Sequence, residues 1–338
     1  MLVDGPLVTQ ALRDVPAAAR ALEADGYDGT FTFEGQHDPF LPLVLAAEAT
    51  DRLELMTAVA IAFARSPMTL ATQAYDLQLL SAGRFHLGLG SQIKPHIERR
   101  FSMPWSAPAA RMRELVLAVR AIWTAWQDRT PLQFDGEHYT HTLMTPFFDP
   151  GPNQFGLPSV WLGGVGPRMT EVAGEVADGF LVHPFCTAQS LLEVTLPALE
   201  RGRAKAAGAQ PIQVSLPVMV ATGATAADLE AATNAVRAQI AFYASTPAYR
   251  IVLDVHGWGD LQPRLQERTR AGDWSGMAAL VHDDLLEAVA IVAPPDEVAP
   301  AIEERYGRLL DRVALNAPYA AEPGLWPAIA ADLRTGEA

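Results

Sequence analysis

The sequence predicts a (β/α)8 barrel, and two observations favour this fold class. Eight short apolar segments of high β-propensity occur along the chain, and segments with helical spacing alternate with most of them. The chain has 338 residues, 49% of them hydrophobic, which suits one barrel domain. A doubly wound open sheet is the alternative, but the number of strands favours the barrel. We therefore expect residues 1–338 to form a single domain.

The first half of the chain supplies four strands and then departs from the repeat. Ser66 precedes Pro67 and is expected to cap the third helix. A β-hairpin that turns at Asp135 and Gly136 is expected within an excursion over about residues 130–158. The predicted strands are residues 1–4, 27–33, 53–63 and 85–89, and the predicted helices are residues 15–24, 40–50, 68–80 and 111–126.

The second half continues the alternation with one interruption. The pattern between about residues 221 and 293 is mostly helical, so we expect an insertion after the seventh strand. The predicted strands are residues 160–162, 180–183, 212–220 and 312–316, and the predicted helices are residues 169–177, 191–207, 294–306 and 326–333.

Composition excludes several classes of protein. The formal net charge is −14, so neither a generally basic surface nor a nucleic-acid partner is expected. The single cysteine, Cys186, leaves no intrachain disulfide and no thiolate zinc site. Strand alternation places His138 and His141 on opposite faces of the hairpin, so no metal is expected. No apolar run is long enough to span a bilayer and no signal peptide is visible, which predicts a cytoplasmic protein without a membrane partner.

A glycine-rich turn follows the fifth predicted strand. Backbone N–H groups freed by glycine, together with the amino end of the next helix, form a ready anion site. A tight turn that needs only positive φ explains the same residues equally well. The run matches neither GxGxxG nor GxxxxGK[ST], which disfavours a P-loop or an ordinary dinucleotide fold. The candidate residues of the turn are Gly163, Gly164, Val165, Gly166 and Arg168.

A segment of small and polar residues follows the fourth predicted strand. Ser91 and Gln92 come directly after Gly90 and offer hydrogen-bond donors to a ligand. Three cations come next and suit an anionic ligand, although an ordinary solvated helix face is the alternative. These cations are Lys94, Arg99 and Arg100.

Polar residues also follow the second and sixth predicted strands. Glu34 and His37 supply a carboxylate and an imidazole, which suit proton transfer at a barrel mouth. Asp38 stands before Pro39, and we assign it to the start of the next helix. His183 ends the sixth strand, where a site role and a core histidine bonded to backbone are both consistent with its position.

Several short motifs occur in a specific order and spacing along almost the whole chain. They are ARALEADGYDG at residues 19–29, TAV at 57–59, RSP at 65–67, SAGRF at 81–85, GLGS at 88–91, GG at 163–164, AG at 173–174 and ADG at 177–179. Together they resemble the bacterial luciferase-like flavin and deazaflavin oxidoreductases, and most closely the F420-dependent branch of that family.

The resemblance implies a (β/α)8 barrel with an insertion between strand seven and helix seven, usually assembled as a homodimer. Members bind F420, or alternatively FMN, at the carboxyl mouth of the barrel. A non-proline cis peptide between Ala58 and Val59 would back the deazaflavin ring. The cofactor phosphate would lie over the turn at residues 163–168, beside Ser91 and Gln92. The anionic tail of F420 would contact Lys94, Arg99 and Arg100.

The activity that the resemblance implies is hydride transfer between C5 of the deazaflavin and a small organic substrate. Glu34, His37 or His183 would act as the acid or base. Gly35 stands where some sugar-phosphate-oxidising relatives have histidine, which argues against that substrate class. Position in the insertion alone suggests which residues wall the substrate pocket, namely Tyr249, His256 and Trp258.

Two other functions are consistent with the sequence. One is an FMN-dependent monooxygenase of the same family, which would use O₂ and a partner flavin reductase. The other is a cofactor-binding protein without catalysis, which would be expected to lose the polar groups after strands two and six. This chain keeps Glu34, His37 and His183 at those places, which favours an enzyme.

Overall fold

Eight parallel strands close into a barrel in the computed structural model of the chain, which describes residues 1–8, 11–206 and 211–335. The strands are, in chain order, β1 (Leu2–Pro6), β2 (Gly29–Thr32), β3 (Glu54–Thr57), β4 (Ala60–Ile61), β5 (Phe85–Gly90), β6 (Phe134–Asp135), β7 (Thr140–His141), β8 (Ser159–Gly163), β9 (Gly179–Leu181), β10 (Gln213–Ala221), β11 (Ala290–Val292) and β12 (Arg312–Asn316). The barrel runs β1-β2-β3-β5-β8-β9-β10-β12, and β12 pairs back with β1. The predicted fold class is thus confirmed.

Helices cover the outside of the barrel and fill the insertion. They are α1 (Val15–Ala24), α2 (Phe40–Ala49), α3 (Pro67–Leu80), α4 (Lys94–Arg99), α5 (Pro108–Asp128), α6 (Pro167–Val176), α7 (Ala188–Ser190), α8 (Leu196–Arg203), α9 (Ala226–Ala244), α10 (Arg250–Asp254), α11 (Leu261–Ala271), α12 (Trp274–Ala278), α13 (Asp283–Val289), α14 (Pro295–Tyr306) and α15 (Leu325–Thr335). Ser66 caps α3 as expected, because its side chain accepts a hydrogen bond from the amide of Thr69. Within the part of the chain described, no helix is both long and apolar enough to cross a membrane.

Two predicted segments are interrupted in the structure. The predicted strand at residues 53–63 divides into β3 and β4, and a 3₁₀ turn at Ala62–Ala64 replaces its end. The predicted helix at residues 191–207 contains a π turn at Leu191–Thr195 before α8, and residue 207 lies outside the described residues. The assignment of residues 1–338 to one domain stays a prediction.

The insertion after β10 is mostly helical, as predicted, and consists of α9 to α13. It also contains a strand that the sequence pattern did not predict, because β11 pairs in parallel with the last three residues of β10. A second apolar cluster, separate from the main core, joins the insertion to Met219 and Ala221 of β10 and to Phe185. The insertion is therefore packed against one side of the barrel mouth.

The hairpin between α5 and β8 is shorter than the predicted segment. Strands β6 and β7 pair antiparallel over two residues each. The carboxylate of Glu114 on α5 accepts hydrogen bonds from three consecutive amides of the turn, at Glu137, His138 and Tyr139. One carboxylate thus fixes the hairpin to the outer helix.

A network of polar and charged side chains crosses the barrel interior near the amino ends of the strands. Arg312 donates to Asp4 from Nε and Nη2, at 2.9 and 2.5 Å, and donates to Glu54 from Nη1. Glu54 contacts Nε2 of His86 at 3.1 Å, and Nδ1 of His86 lies 2.6 Å from the Ser159 hydroxyl. Burial opposes ionisation of Glu54, but the hydrogen bond with His86 and the charge of Arg312 outweigh it and lower its pKa to about 2. We refer to these five residues as the interior network.

Candidate active site

A cavity of about 1050 Å³ lies at the carboxyl ends of the barrel strands, where ligands bind in this architecture. Most of its wall is apolar, and it reaches into the barrel as far as Asp4 and Ser215. Asp4 is the only carboxylate among the described lining residues, and it is already paired with Arg312. The lining includes twelve residues that we predicted, namely Ala58, Val59, Gly90, Ser91, Gln92, Lys94, Gly163, Gly164, Val165, Gly166, Arg168 and His183, together with Tyr249 of the predicted substrate wall.

Val59 forms one wall of the cavity. The peptide bond between Ala58 and Val59 is cis, as the resemblance implied. The valine side chain fits against two glycines that are register partners on β5 and β8. A Cβ on Gly90 would lie 2.6 Å from Val59 Cγ2, and one on Gly163 would lie 3.0 Å from Val59 Cγ1. These glycines are therefore needed for the valine to occupy its place.

The glycine turn before α6 leaves the amino end of that helix open to the cavity. Gly166 has φ of 84° and provides no side-chain cap for the helix. Residues 163–169 all line the cavity. Among the described residues, none forms a hydrogen bond or ion pair with the side chain of Arg168. An uncapped helix amino end beside a free guanidinium suits a phosphate or another anion.

The three predicted tail-binding cations occupy different surroundings. Lys94 lines the cavity rim and is 3.7 Å from Glu98. Arg100 donates a hydrogen bond to the carbonyl oxygen of Gly35 at 2.7 Å, and Arg99 is exposed to solvent. Neither Arg99 nor Arg100 belongs to the cavity lining, so only Lys94 lies at the edge of the cavity itself.

The structure places Glu34 and His37 outside the cavity lining. The Oε2 atom of Glu34 accepts hydrogen bonds from the Ile61 amide at 2.7 Å and from Arg65 Nη1 at 2.6 Å. His37 is exposed. Asp38 bonds the first turn of α2 as predicted, because its Oδ1 accepts from the amides of Phe40 and Leu41. Glu34 thus fastens the segment after Val59, and an acid–base role for Glu34 or His37 stays a prediction.

His183 follows β9 and lines the cavity. Its ring lies 4.2 Å from the ring of Tyr249 and 4.7 Å from that of Tyr243. The Nδ1 atom accepts a hydrogen bond from the amide of Phe185 at 3.0 Å. Burial disfavours the charged imidazolium and lowers the pKa of His183 to about 4, so the ring is neutral at neutral pH.

The three residues predicted to wall the substrate pocket divide into two groups. Tyr249 lines the cavity, whereas His256 and Trp258 do not. The rings of His256 and Trp258 stack on each other at 4.4 Å, and Nε2 of His256 lies 2.9 Å from the hydroxyl of Thr187. Both residues therefore serve contacts within the insertion and its junction with the loop after β9.

Several lining residues were missed by the sequence analysis. Asp4 is the last residue of the first predicted strand, and a carboxylate at that place was a signal that could have identified it, although the structure extends β1 to Pro6. Ser215 lies within a buried strand, and Trp105 and Thr246 lie in connections whose direction no local pattern specifies. Among the described residues, no group of three His, Cys, Asp or Glu side chains has a geometry that could hold a metal ion.

These features define a TIM-barrel protein with its candidate site at the carboxyl ends of the strands. Residues 2–312 match the family described as luciferase-like monooxygenases, and the chain belongs to that family. An uncharacterised protein of Mycobacterium tuberculosis is 54% identical over 312 residues, which cover 92% of both chains. The 5,10-methylenetetrahydromethanopterin reductase of Archaeoglobus fulgidus is 27% identical over 307 residues, which cover 88% of this chain and 87% of the relative.

Solved structures confirm the fold. The F420-dependent tetrahydromethanopterin reductase of Methanopyrus kandleri matches with a TM-score of 0.78 and 20% identity, covering 99% of this chain and 98% of that one. An F420-dependent secondary alcohol dehydrogenase matches with a TM-score of 0.72 and 17% identity, covering 98% and 99%. The EDTA monooxygenase of a Chelativorans species matches with a TM-score of 0.70 and 15% identity, covering 98% and 92%. The fold is thus shared by F420-dependent oxidoreductases and by a monooxygenase.

Proposed function

We propose that this chain is an F420-dependent oxidoreductase that transfers a hydride between the deazaflavin and a small organic substrate. The observation that carries the proposal is the uncapped amino end of α6, which opens with the free Arg168 onto the same apolar cavity as Val59. The turn and Arg168 suit the phosphate of the cofactor, and the apolar wall at Val59 suits a flat ring. The cationic rim at Lys94 suits an anionic tail.

When bound, reduced F420 would supply a hydride from C5 to one atom of the substrate's double bond, and the other atom would take up a proton. In the reverse direction oxidised F420 would accept the hydride and the substrate would release the proton. Val59 would support the ring, the apolar wall would keep water away from it, and the remaining lining residues would orient the substrate. The named F420-dependent structures of the same fold support this assignment.

Titration of the purified chain with F420, followed by cofactor fluorescence, tests the proposal directly. We expect saturable binding of F420, with FMN binding more weakly under the same conditions. Both cofactors carry a phosphate, so the difference depends on the deazaflavin tail and the cationic rim. Tight FMN binding without a response to F420 would contradict the proposal and would favour the alternative function, an FMN-dependent monooxygenase.

Arg168→Ala should weaken F420 binding by about 1.5–3 kcal/mol, because a charge-assisted hydrogen bond to the phosphate is lost. Arg20→Ala is the matched control, since Arg20 is an exposed arginine on α1 outside the cavity lining. A third variant, Arg99→Ala, tests the predicted tail contact of a residue that does not line the cavity. If Arg168→Ala and the unchanged protein bind F420 with equal affinity, Arg168 does not contact the phosphate.

A further inference from the structure

His183 has a single tautomer available to it. Its Nδ1 atom faces the backbone amide of Phe185 at 3.0 Å, and an amide N–H can only donate a hydrogen bond. Nδ1 must therefore accept, so the hydrogen of the neutral ring is on Nε2. The neighbour two positions along the chain thus fixes which nitrogen is the donor.

The surroundings of His183 keep the imidazole uncharged. Its ring packs on Tyr249 of the insertion and meets the edge of Tyr243 on α9, and neither neighbour is a carboxylate. Among the described lining residues, the one carboxylate is that of Asp4, which is held by Arg312. No acidic group in the cavity is thus free to stabilise an imidazolium.

The cavity offers a substrate hydrogen-bonding groups rather than charge. Ser215, Thr246 and Tyr249 contribute hydroxyl groups to the lining, and the remaining wall is mostly apolar. The Lys and Arg residues of the described lining are Lys94 and Arg168, and they belong to the rim and the turn assigned to the cofactor. A charged group of a substrate near His183 would lose its hydration without gaining a partner, which is costly.

We propose that His183 donates a hydrogen bond from Nε2–H to the oxygen of an uncharged carbonyl substrate with an apolar body, and that the site disfavours carboxylates. The proposal rests on the proposed function, since it concerns the compound that exchanges a hydride with the cofactor. Several kinds of double bond can accept a hydride. In a carbonyl group the oxygen of the reacting bond is itself a hydrogen-bond acceptor, and the group is uncharged in water. A simple C=C bond has no atom that accepts a hydrogen bond from Nε2–H. Many C=N groups are protonated at neutral pH, so they carry a positive charge and no longer accept one. The donor also stabilises the negative charge that develops on the oxygen.

The test uses cyclohexanone and cyclohexanecarboxylate, which share an apolar ring and differ in charge. The full-length chain is labelled with ¹⁵N-histidine, and each probe is titrated with and without F420. The His183 signals are assigned by their loss in His183→Phe. We expect the Nε2–H tautomer in the absence of ligand, a saturable shift of the Nε2 signal with cyclohexanone, and at least about tenfold weaker binding of the carboxylate.

Two variants distinguish the contribution of the Nε2–H donor to binding from that of the aromatic ring. His183→Phe keeps an aromatic ring against Tyr249 but has no donor, and should weaken cyclohexanone binding about tenfold. His183→Gln keeps an N–H near the position of Nε2 and should stay within about threefold of the unchanged protein. Near-ultraviolet circular dichroism checks that both variants keep their tertiary packing.

Each contrary result has a definite meaning. An Nδ1–H tautomer, tighter binding of the carboxylate, absence of cyclohexanone binding, or equal losses in His183→Phe and His183→Gln would overturn the proposal. If F420 fails to bind while the probes behave as expected, the proposed cofactor is wrong and the role of His183 stands. If F420 binds and the probes are not distinguished, the carbonyl assignment alone fails.

Discussion

Arg312→Met should lower the free energy of unfolding by about 3–5 kcal/mol, the usual cost of removing one partner from a buried ion pair. Arg312 is 2% exposed, and its guanidinium holds Asp4, which is 6% exposed, through two hydrogen bonds. Methionine keeps a long flexible side chain but leaves the Asp4 carboxylate buried without a cation. Urea unfolding followed by circular dichroism measures the difference.

An exposed ion pair gives the matched control for this change. Arg120 lies 2.8 Å from Asp178, with side chains 34% and 45% exposed, so Arg120→Met should cost less than about 1 kcal/mol. The double variant Asp4→Asn with Arg312→Met removes the unpaired charge and should recover part of the loss. A cost for Arg312→Met no larger than that of the control would show that the interior network contributes little to stability.

The interior network could not have been predicted from the sequence. Asp4 and Arg312 are 308 positions apart, and they meet only because β12 closes the barrel against β1. Local pattern identifies both as parts of strands but does not show which strand ends share the barrel interior. Closure of the barrel, and not any motif, brings the two charges together.

The barrel strands themselves were largely predictable, because strands of a buried parallel sheet read as short apolar runs. The predicted strand at residues 312–316 coincides with β12. The strand at residues 53–63 was predicted as continuous because every residue of its second half is apolar, and the structure shows that all of them are buried or partly buried. Apolar character fixes burial, but it does not fix where the backbone leaves the sheet.

The candidate site was predictable where it depends on backbone and not where it depends on side-chain direction. The glycine turn and the cis bond at Val59 line the cavity as expected. Glu34 follows the predicted strand, yet its carboxylate turns to Arg65, 31 positions further along the chain. His256 and Trp258 likewise stack on each other rather than line the cavity. The direction in which each of these side chains points depends on partners that are distant in sequence.

Gly88→Ala should cost more than about 3 kcal/mol of stability, above the usual range for overpacking, and should abolish F420 binding as the site distorts. A Cβ at this position would lie 1.7 Å from the carbonyl oxygen of Thr57. The Thr57 hydroxyl also accepts from the Gly88 amide at 2.9 Å and donates to its carbonyl at 2.7 Å. The added Cβ would thus clash with a backbone atom that cannot turn away, so β3 and β5 would have to move apart directly before Ala58. Urea unfolding and fluorescence titration with F420 measure the two losses.

Two other glycines serve as comparisons for Gly88, because a Cβ added to either of them would meet a side chain instead of the backbone. A Cβ on Gly35 would meet the ring of Phe33 at 3.2 Å, but that residue is 59% exposed and free to turn, so Gly35→Ala should cost less than about 0.5 kcal/mol. The three atoms nearest to a Cβ on Gly90 all belong to the side chain of Val59, so Val59→Ala should recover stability that Gly90→Ala loses. The same second change should leave Gly88→Ala as unstable as before. If Val59→Ala rescues both, the valine and not the strand contact determines the shape of this wall, and the close approach of β3 to β5 is tolerant of an added methyl group.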